Sequence, residues 1–246
     1  MKLLAVDTAT ARLCVGVRNG DQSRSDASTG SAAHARSLPQ RVSDLLAAMG
    51  LTPKMLDAIV VGVGPGSFSG LRIGMGFAQA MAWALDRPLV PVGSLEAMAA
   101  HCLQRNHQAE AVWAALDARM GSVYAACFGP DGSGELRPRS PVQEWPAEAF
   151  FHARAVDQRD AANDCRRTWL VGNALGLAQA QAVDAGVWGG VDAEALPHPE
   201  PLLRLGAMRL AAGHHVSAQA LTPLYVRDRV ALTRAQRAAG EQLGAP

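Results

Sequence analysis

Lysine is almost missing from this chain. Of 23 basic residues only Lys2 and Lys54 are lysines and the rest are arginines, a bias that reflects genome composition more than function. Excess charge of one sign is missing too. The 22 acidic residues bring the formal net charge to +1, so there is no global electrostatic attraction to nucleic acid. The four cysteines, Cys14, Cys102, Cys127 and Cys165, stand far apart without a C-x-x-C pair. That excludes a zinc signature and argues against a disulfide framework. No hydrophobic run reaches the ~20 residues of a membrane helix; the longest, Leu71 to Leu85, carries Arg72 inside it. A strand opening at Lys2 leaves no room for a signal peptide, so the expectation is a soluble, ordered, cytoplasmic protein.

What is present centres on residues 57–85. An apolar run, Ala58 to Val63, meets the glycine-rich turn Gly64-Pro65-Gly66-Ser67-Phe68-Ser69-Gly70, and a long apolar segment follows. The run reads as a buried strand and the segment, rich in Ala, Leu and Met, as a helix. One face of that helix carries Leu71, Met75, Ala78, Ala82 and Leu85; the other carries Ile73, Phe77, Ala80, Met81 and Ala84. A helix apolar on both faces needs cover on both. Either it is a central core helix, or a second protein chain covers its outer face.

Along the chain, Lys2–Val6, Leu13–Val17 and Gln22–Ser28 read as strands, with Asn19-Gly20 as a hairpin turn and the polar third strand at an edge. Leu38, Val42, Leu45, Leu46 and Met49 form one helical stripe that Gly50 ends. A strand at Leu89–Val92 and a helix capped by Ser94 complete a β-β-β-α-β-α-β-α order. The pattern then restarts with strands at Val112–Leu116 and Val123–Phe128. Asp7 and Asp117 stand at one offset before Leu13 and Val123, and Asp21 and Asp131 at one offset after them. Leu170-Val171-Gly172-Asn173 echoes Val61-Gly62 in the same order, which predicts an α/β protein of two lobes on one duplicated plan. Residues 129–165 read as the least regular part. A late helix holds Leu202, Leu203, Leu205, Met208 and Leu210, and residues 221–227 read as a short extended segment. The predicted division is 1–105 for the first lobe, completed by 221–235, then 106–220 for the second, with 236–246 as a tail.

Catalytic chemistry is hard to find. The Gly64–Gly70 turn fails both the Walker A and the G-x-G-x-x-G patterns, and reads better as a tight turn with close helix packing. Asp7-Thr8-Ala9-Thr10, at the end of the first strand, resembles the phosphate loop of actin-like and sugar-kinase-like ATPases, with Ala9 in place of the usual glycine. That makes Asp7, Thr8 and Thr10 candidate nucleotide-binding residues, against a plain strand-end turn capped by its own side chains. The histidines at 34, 101, 107, 152, 198, 214 and 215 form no metal motif, and no serine sits in G-x-S-x-G.

Taken together, DTAT, GVGPGSFSGLRIGMGFAQAMAWAL, PVGSLEAMA, LDARMGSVYAA and LTPLYVRD closely resemble the bacterial TsaB (YeaZ) family, which serves in making N6-threonylcarbamoyladenosine (t6A) in tRNA. The resemblance is strong over 1–128 and returns at 221–230. It implies an actin-like (ASKHA, ribonuclease H-like) two-lobed fold with a duplicated β-β-β-α-β-α plan. It extends to the catalytic paralogue TsaD, whose metal-binding His-x-x-x-His pair falls here on Ser94 and Met98, which are poor ligands for such an ion. The resemblance therefore implies a non-catalytic scaffold subunit with no metal and no required cofactor. It binds and activates a TsaD-type subunit, presents it to a TsaE-type ATPase subunit, reaches tRNA through the complex, and also forms a homodimer. An adenine nucleotide at the heterodimer is a further expectation. In the family, two first-lobe helices pair with the paralogue; here these are 34–49 and 70–85, with Leu38, Val42, Leu45, Leu71, Met75, Phe77 and Met81 as candidate interface residues and Gly74, Gly76 and Ala78 allowing close approach. The competing readings are an active actin-like ATPase using Asp7, Thr8 and Thr10, and an M22-type, glycoprotease-like peptidase acting on the paralogue. Arg227, Arg229, Arg234 and Arg237 are basic enough for a tRNA contact, against a solvated tail.

Overall fold

The computed structural model describes residues 1–29, 34–160, 167–178 and 188–226. The predicted order of the first hundred residues is realised as β1 (Lys2–Asp7), β2 (Arg12–Asn19), β3 (Gln22–Thr29), α1 (His34–Ala48), β4 (Ala58–Gly62), α2 (Phe68–Leu85), β5 (Leu89–Val92) and α3 (Ser94–Arg105). The five strands form one sheet in the order β3-β2-β1-β4-β5, with β1 antiparallel to β2 and parallel to β4. The central strands are apolar at Leu3–Val6 of β1 and throughout β4, and these residues are buried, so both faces of the sheet require cover. On one face α1 and α2 set Leu38, Val42, Leu46, Leu71, Met75 and Ala78 against Leu4, Val6, Ile59 and Val61.

The other face is covered by α6 (Pro199–Ala211), whose Leu202, Leu203 and Leu205 pack on Leu3, Ala5, Val60 and Val90. The sequence division placed this helix in the second lobe. Its apolar stripe instead fills the uncovered side of the first sheet, and Gly206 lets it lie on Val60, whose side chain a Cβ there would overlap. The chain then stays with the first lobe: Leu221 sinks into the core beneath α2, and the Leu224 N–H donates to Val63 O at 2.9 Å. Residues 227–235, the tail 236–246 and Cys165 lie outside the described residues.

A second sheet repeats the plan. It is built from β6 (Ala111–Arg119), β7 (Ser122–Pro130), β8 (Leu136–Pro138), β9 (Gln143–Pro146), β10 (Thr168–Val171) and β11 (Gly190–Asp192), in the order β11-β10-β6-β7-β8 with β9 also on β7. As in the first sheet, an antiparallel hairpin (β6–β7) gains a parallel strand (β10) on its far side. Helices α4 (Ala147–Asp160) and α5 (Leu175–Ala178) cover one face through Phe150, Phe151 and Leu175, and α3 covers the other through Leu95, Met98 and Cys102. The protein is thus a two-lobed, actin-like α/β fold. Residues 129–165, expected to be irregular, contain β8, β9 and α4; strands this short show no alternation in sequence.

Candidate functional site

The strand-end loop Asp7-Thr8-Ala9-Thr10 meets the start of α2 at very close range. Helix α2 begins at Phe68, ahead of the predicted Leu71, because Ser67 is its N-cap and the Ser67 Oγ accepts from the Gly70 N–H. Thr8 Oγ1 donates to Gly70 O at 2.7 Å, and the Ser67 N–H donates to Ala9 O at 2.7 Å. Glycines stand at every contact. A Cβ at Gly66 would overlap Ala9 O, one at Gly70 would overlap Thr8 O, and one at Gly74 would overlap Thr8 Oγ1. Gly62 does the same beneath the carboxyl group of Asp7.

Asp7 itself is buried and fully occupied. Its Oδ1 accepts from the Ala9 N–H at 2.7 Å and its Oδ2 from Ser94 Oγ at 2.9 Å. Burial holds the carboxyl above the usual carboxylate range despite these two bonds. This geometry commits much of the loop to the protein's own contacts, which weighs against a phosphate loop. The Ala9 N–H is spent on Asp7, the Thr8 hydroxyl on Gly70, and the Arg12 N–H on Thr10 Oγ1 at 3.2 Å. A phosphate needs free donors and room for backbone approach; the methyl group of Ala9 and the first turn of α2 occupy that room. The Ala9 N–H and the Thr8 hydroxyl are thus not available to a phosphate in this arrangement.

The paralogue's two imidazole positions fare likewise. Ser94 is the first residue of α3, with Gly93 rather than Ser94 as N-cap, and its hydroxyl is committed to Asp7. Met98 is buried in the core against the second sheet, its Cε 2.9 Å from where a Cβ at Gly172 would stand. A hydroxyl used as a donor and a thioether packed in hydrocarbon do not fit a metal. Among the described residues the cysteines Cys14, Cys102 and Cys127 are buried thiols, with Cys102 and Cys127 pushed up to about 11 by burial. None is an activated nucleophile.

The outer side of α2 is different. Phe68 (55 % exposed), Arg72, Gly76, Ala80, Trp83 (67 % exposed) and Ala84 lie open, with Ile73, Phe77 and Met81 half-buried along one shoulder. The Arg72 guanidinium rests over the Phe68 ring at 3.9 Å. Among the described residues nothing lies over this apolar row; at its start Phe68, Arg72 and Gly76 border a groove with Leu221, Pro223 and Tyr225. Of the predicted interface residues, Phe77 and Met81 stand beside the row, and Leu45 is half-buried on α1. Leu38, Val42, Leu71 and Met75 do not: each is at most 5 % exposed inside the chain's own core, so their side chains cannot reach a partner. The small residues divide in the same way. Gly74 and Ala78 face inward, and only Gly76 faces out, with nothing within 4 Å of an added Cβ.

Sequence reading gave no notice of Trp83, or of a stacked pair formed by His101 on α3 and His198 before α6, which are remote in sequence. The glycine contacts had a signal, the four-residue spacing of Gly62, Gly66, Gly70 and Gly74. Arg227, Arg229, Arg234 and Arg237 lie outside the described residues.

Comparison with known proteins bears on this site directly. Residues 28–130, which include α1 and α2, match the family described as TsaD, tRNA N6-adenosine threonylcarbamoyltransferase. Over 235 residues the chain is 31 % identical to the tRNA threonylcarbamoyladenosine biosynthesis protein TsaB of Escherichia coli, covering 94 % of this chain and 96 % of that one. It is 30 % identical to the Haemophilus influenzae protein of the same name, over 94 % of this chain and 95 % of the relative. The solved structure of YeaZ from Pseudomonas aeruginosa superposes with a TM-score of 0.78 at 33 % identity, covering 91 % of this chain and 99 % of that chain. Similarity at 30 % identity or more over nearly the whole of both chains leads to one conclusion: the chain belongs to the TsaB (YeaZ) family.

Proposed function

We propose that this chain is a non-catalytic subunit of the machinery that forms N6-threonylcarbamoyladenosine in tRNA, and that the outer face of α2 pairs it with the TsaD-type transferase subunit. The apolar row from Phe68 to Ala84, open among the described residues, carries this reading. A row of that kind along a whole helix marks an interaction surface. The TsaD match spans α1 and α2, so a TsaD-type partner carries a related helix pair, and the two surfaces meet like with like around an approximate two-fold axis. A second copy of this chain would use the same face, so homodimer and heterodimer compete.

The internal bonds of Asp7 and the replacement of two imidazoles by Ser94 and Met98 support a role without chemistry of its own. The transferase partner supplies the catalysis, and a TsaE-type ATPase and tRNA are reached through it, in the cytoplasm. A nucleotide between the joined subunits would take phosphate contacts from the partner, because the Ala9 N–H and the Thr8 hydroxyl are already spent on Asp7 and Gly70.

Gly76→Glu tests the pairing. Open space surrounds Gly76, so the substitution leaves the monomer folded and places a carboxylate in the middle of the contact. Light scattering on a sizing column should show pairing with the organism's TsaD-type protein weakened by more than about thirtyfold, the loss expected at a hot spot. A folded Gly76→Glu protein that pairs normally removes α2 from the interface.

A further inference from the structure

The Asp7–Ala9 loop makes an unusual set of contacts with α2. Three consecutive residues engage two helices: Asp7 accepts from Ser94 at the start of α3, while Thr8 and Ala9 hold the start of α2. Gly66, Gly70 and Gly74 remove every Cβ that would keep α2 at ordinary distance from the loop. Where α2 meets the loop it therefore rests on loop backbone and on one hydroxyl, while Leu71, Met75 and Ala78 carry the rest of the helix on the sheet. Such a seat is sensitive, because shifts of a few tenths of an ångström cannot be absorbed by rotamer changes.

We propose that the Asp7–Ala9 loop is a positioning seat for α2, in which the Thr8 hydroxyl fixes the height and register of the pairing face on the far side of the helix. Thr8 is buried and lies on the opposite side of α2 from Gly76. It sets affinity for the transferase subunit without touching it, a role that presupposes the pairing face assigned to α2 above. The sheet-end loop and the partner surface are joined by one rigid element with two contact faces, so a displacement at Thr8 moves Gly76, Ala80 and Trp83 together.

Thr8→Val gives the direct test. The hydroxyl sits 2.7 Å from Gly70 O, whereas a methyl group needs about 3.3–3.6 Å from a carbonyl oxygen, so the first turn of α2 must lift. Thr8→Ser keeps the donor. Amide hydrogen exchange of residues 70–75 should accelerate in Thr8→Val and return to the wild-type rate in Thr8→Ser. Pairing with the TsaD-type protein, measured where all variants are folded, should weaken by roughly tenfold in Thr8→Val. Thr8→Ser should restore it to within about twofold of wild type on the same scale. If Thr8→Val does not fold, Thr8→Ala removes the hydroxyl without adding bulk and is expected to show the same weakening. Accelerated exchange with undiminished pairing overturns the seat while leaving the pairing face intact. Normal pairing by Gly76→Glu overturns the face, and the seat with it.

Discussion

His101 and His198 stack with ring centroids 4.7 Å apart and planes 16° from parallel, and the Nδ1 of each is buried without a hydrogen-bond partner among the described residues. Burial lowers both imidazole pKa values first; the charge of His198 and then that of Arg105 add to the shift at His101, Arg12 adds most at His198, and Glu200 opposes both. The sign of the pH effect follows. Unfolded histidines take up protons near their usual value of about 6.5, before the stacked pair does. The pair therefore favours the fold above that pH and loses its contribution as pH falls through it. The melting temperature of the wild type should drop between neutral pH and about pH 5 more steeply than that of the His101→Phe/His198→Phe variant, which keeps the stack without the protons. Equal slopes for the two proteins would show that the pair does not report pH. No pattern in the sequence links the two residues, because their contact depends on where α6 lands. Asp7 was legible as the notable side chain of its strand end, but its acceptors being spent on Ala9 and Ser94 was not: one donor is backbone and the other comes from α3.

At the scale of the element, α2 holds two glycines whose replacement should act in opposite directions. Gly74→Ala places a methyl group against Thr8 Oγ1 and is expected to destabilise by about 1–3 kcal/mol. Gly76→Ala meets nothing within 4 Å and should stabilise by about 0.5–1 kcal/mol through helix propensity alone. Chemical denaturation of the two single variants checks both signs, and a matching sign would show that the helix does not rest on the loop as described. The sequence allowed a correct reading of the helix and of its double apolar character, but not of which side met the sheet. On α2 every side is apolar, so periodicity cannot choose. On α1 it could have chosen: Gln40, Ser43 and Asp44 are exposed around a single apolar stripe, and Leu38 and Val42 on that stripe are core.

For the whole molecule, the lobe boundary is where sequence and structure part. The first sheet was readable because Leu3–Val6 and β4 are unbroken apolar runs, and the repeat was readable from Asp7 and Asp117. The destination of α6 was not, since an amphipathic helix declares that it needs a surface without naming one. Its position makes a residue 1–105 fragment incomplete: Leu3, Ala5, Val60 and Val90, all fully buried, would face water without Leu202, Leu203 and Leu205. Expressed alone, that fragment should aggregate or bind a hydrophobic dye, with no cooperative melting. A soluble fragment that melts cooperatively would show that the first lobe closes without α6.

Helix α3 has one more consequence. Its Ala97 and Ala100 belong to the core under the first sheet, and its Leu95, Met98 and Cys102 to the core of the second. Its first turn is tied to β1 through Ser94 and Asp7, and to α6 through Glu96, both of whose carboxylate oxygens lie 2.7 Å from Arg209 Nη2. Tilting one lobe against the other would pull one of these sets apart. One helix shared between two cores in this way couples the lobes, so a jaw-like opening would have to break contacts on one of its sides.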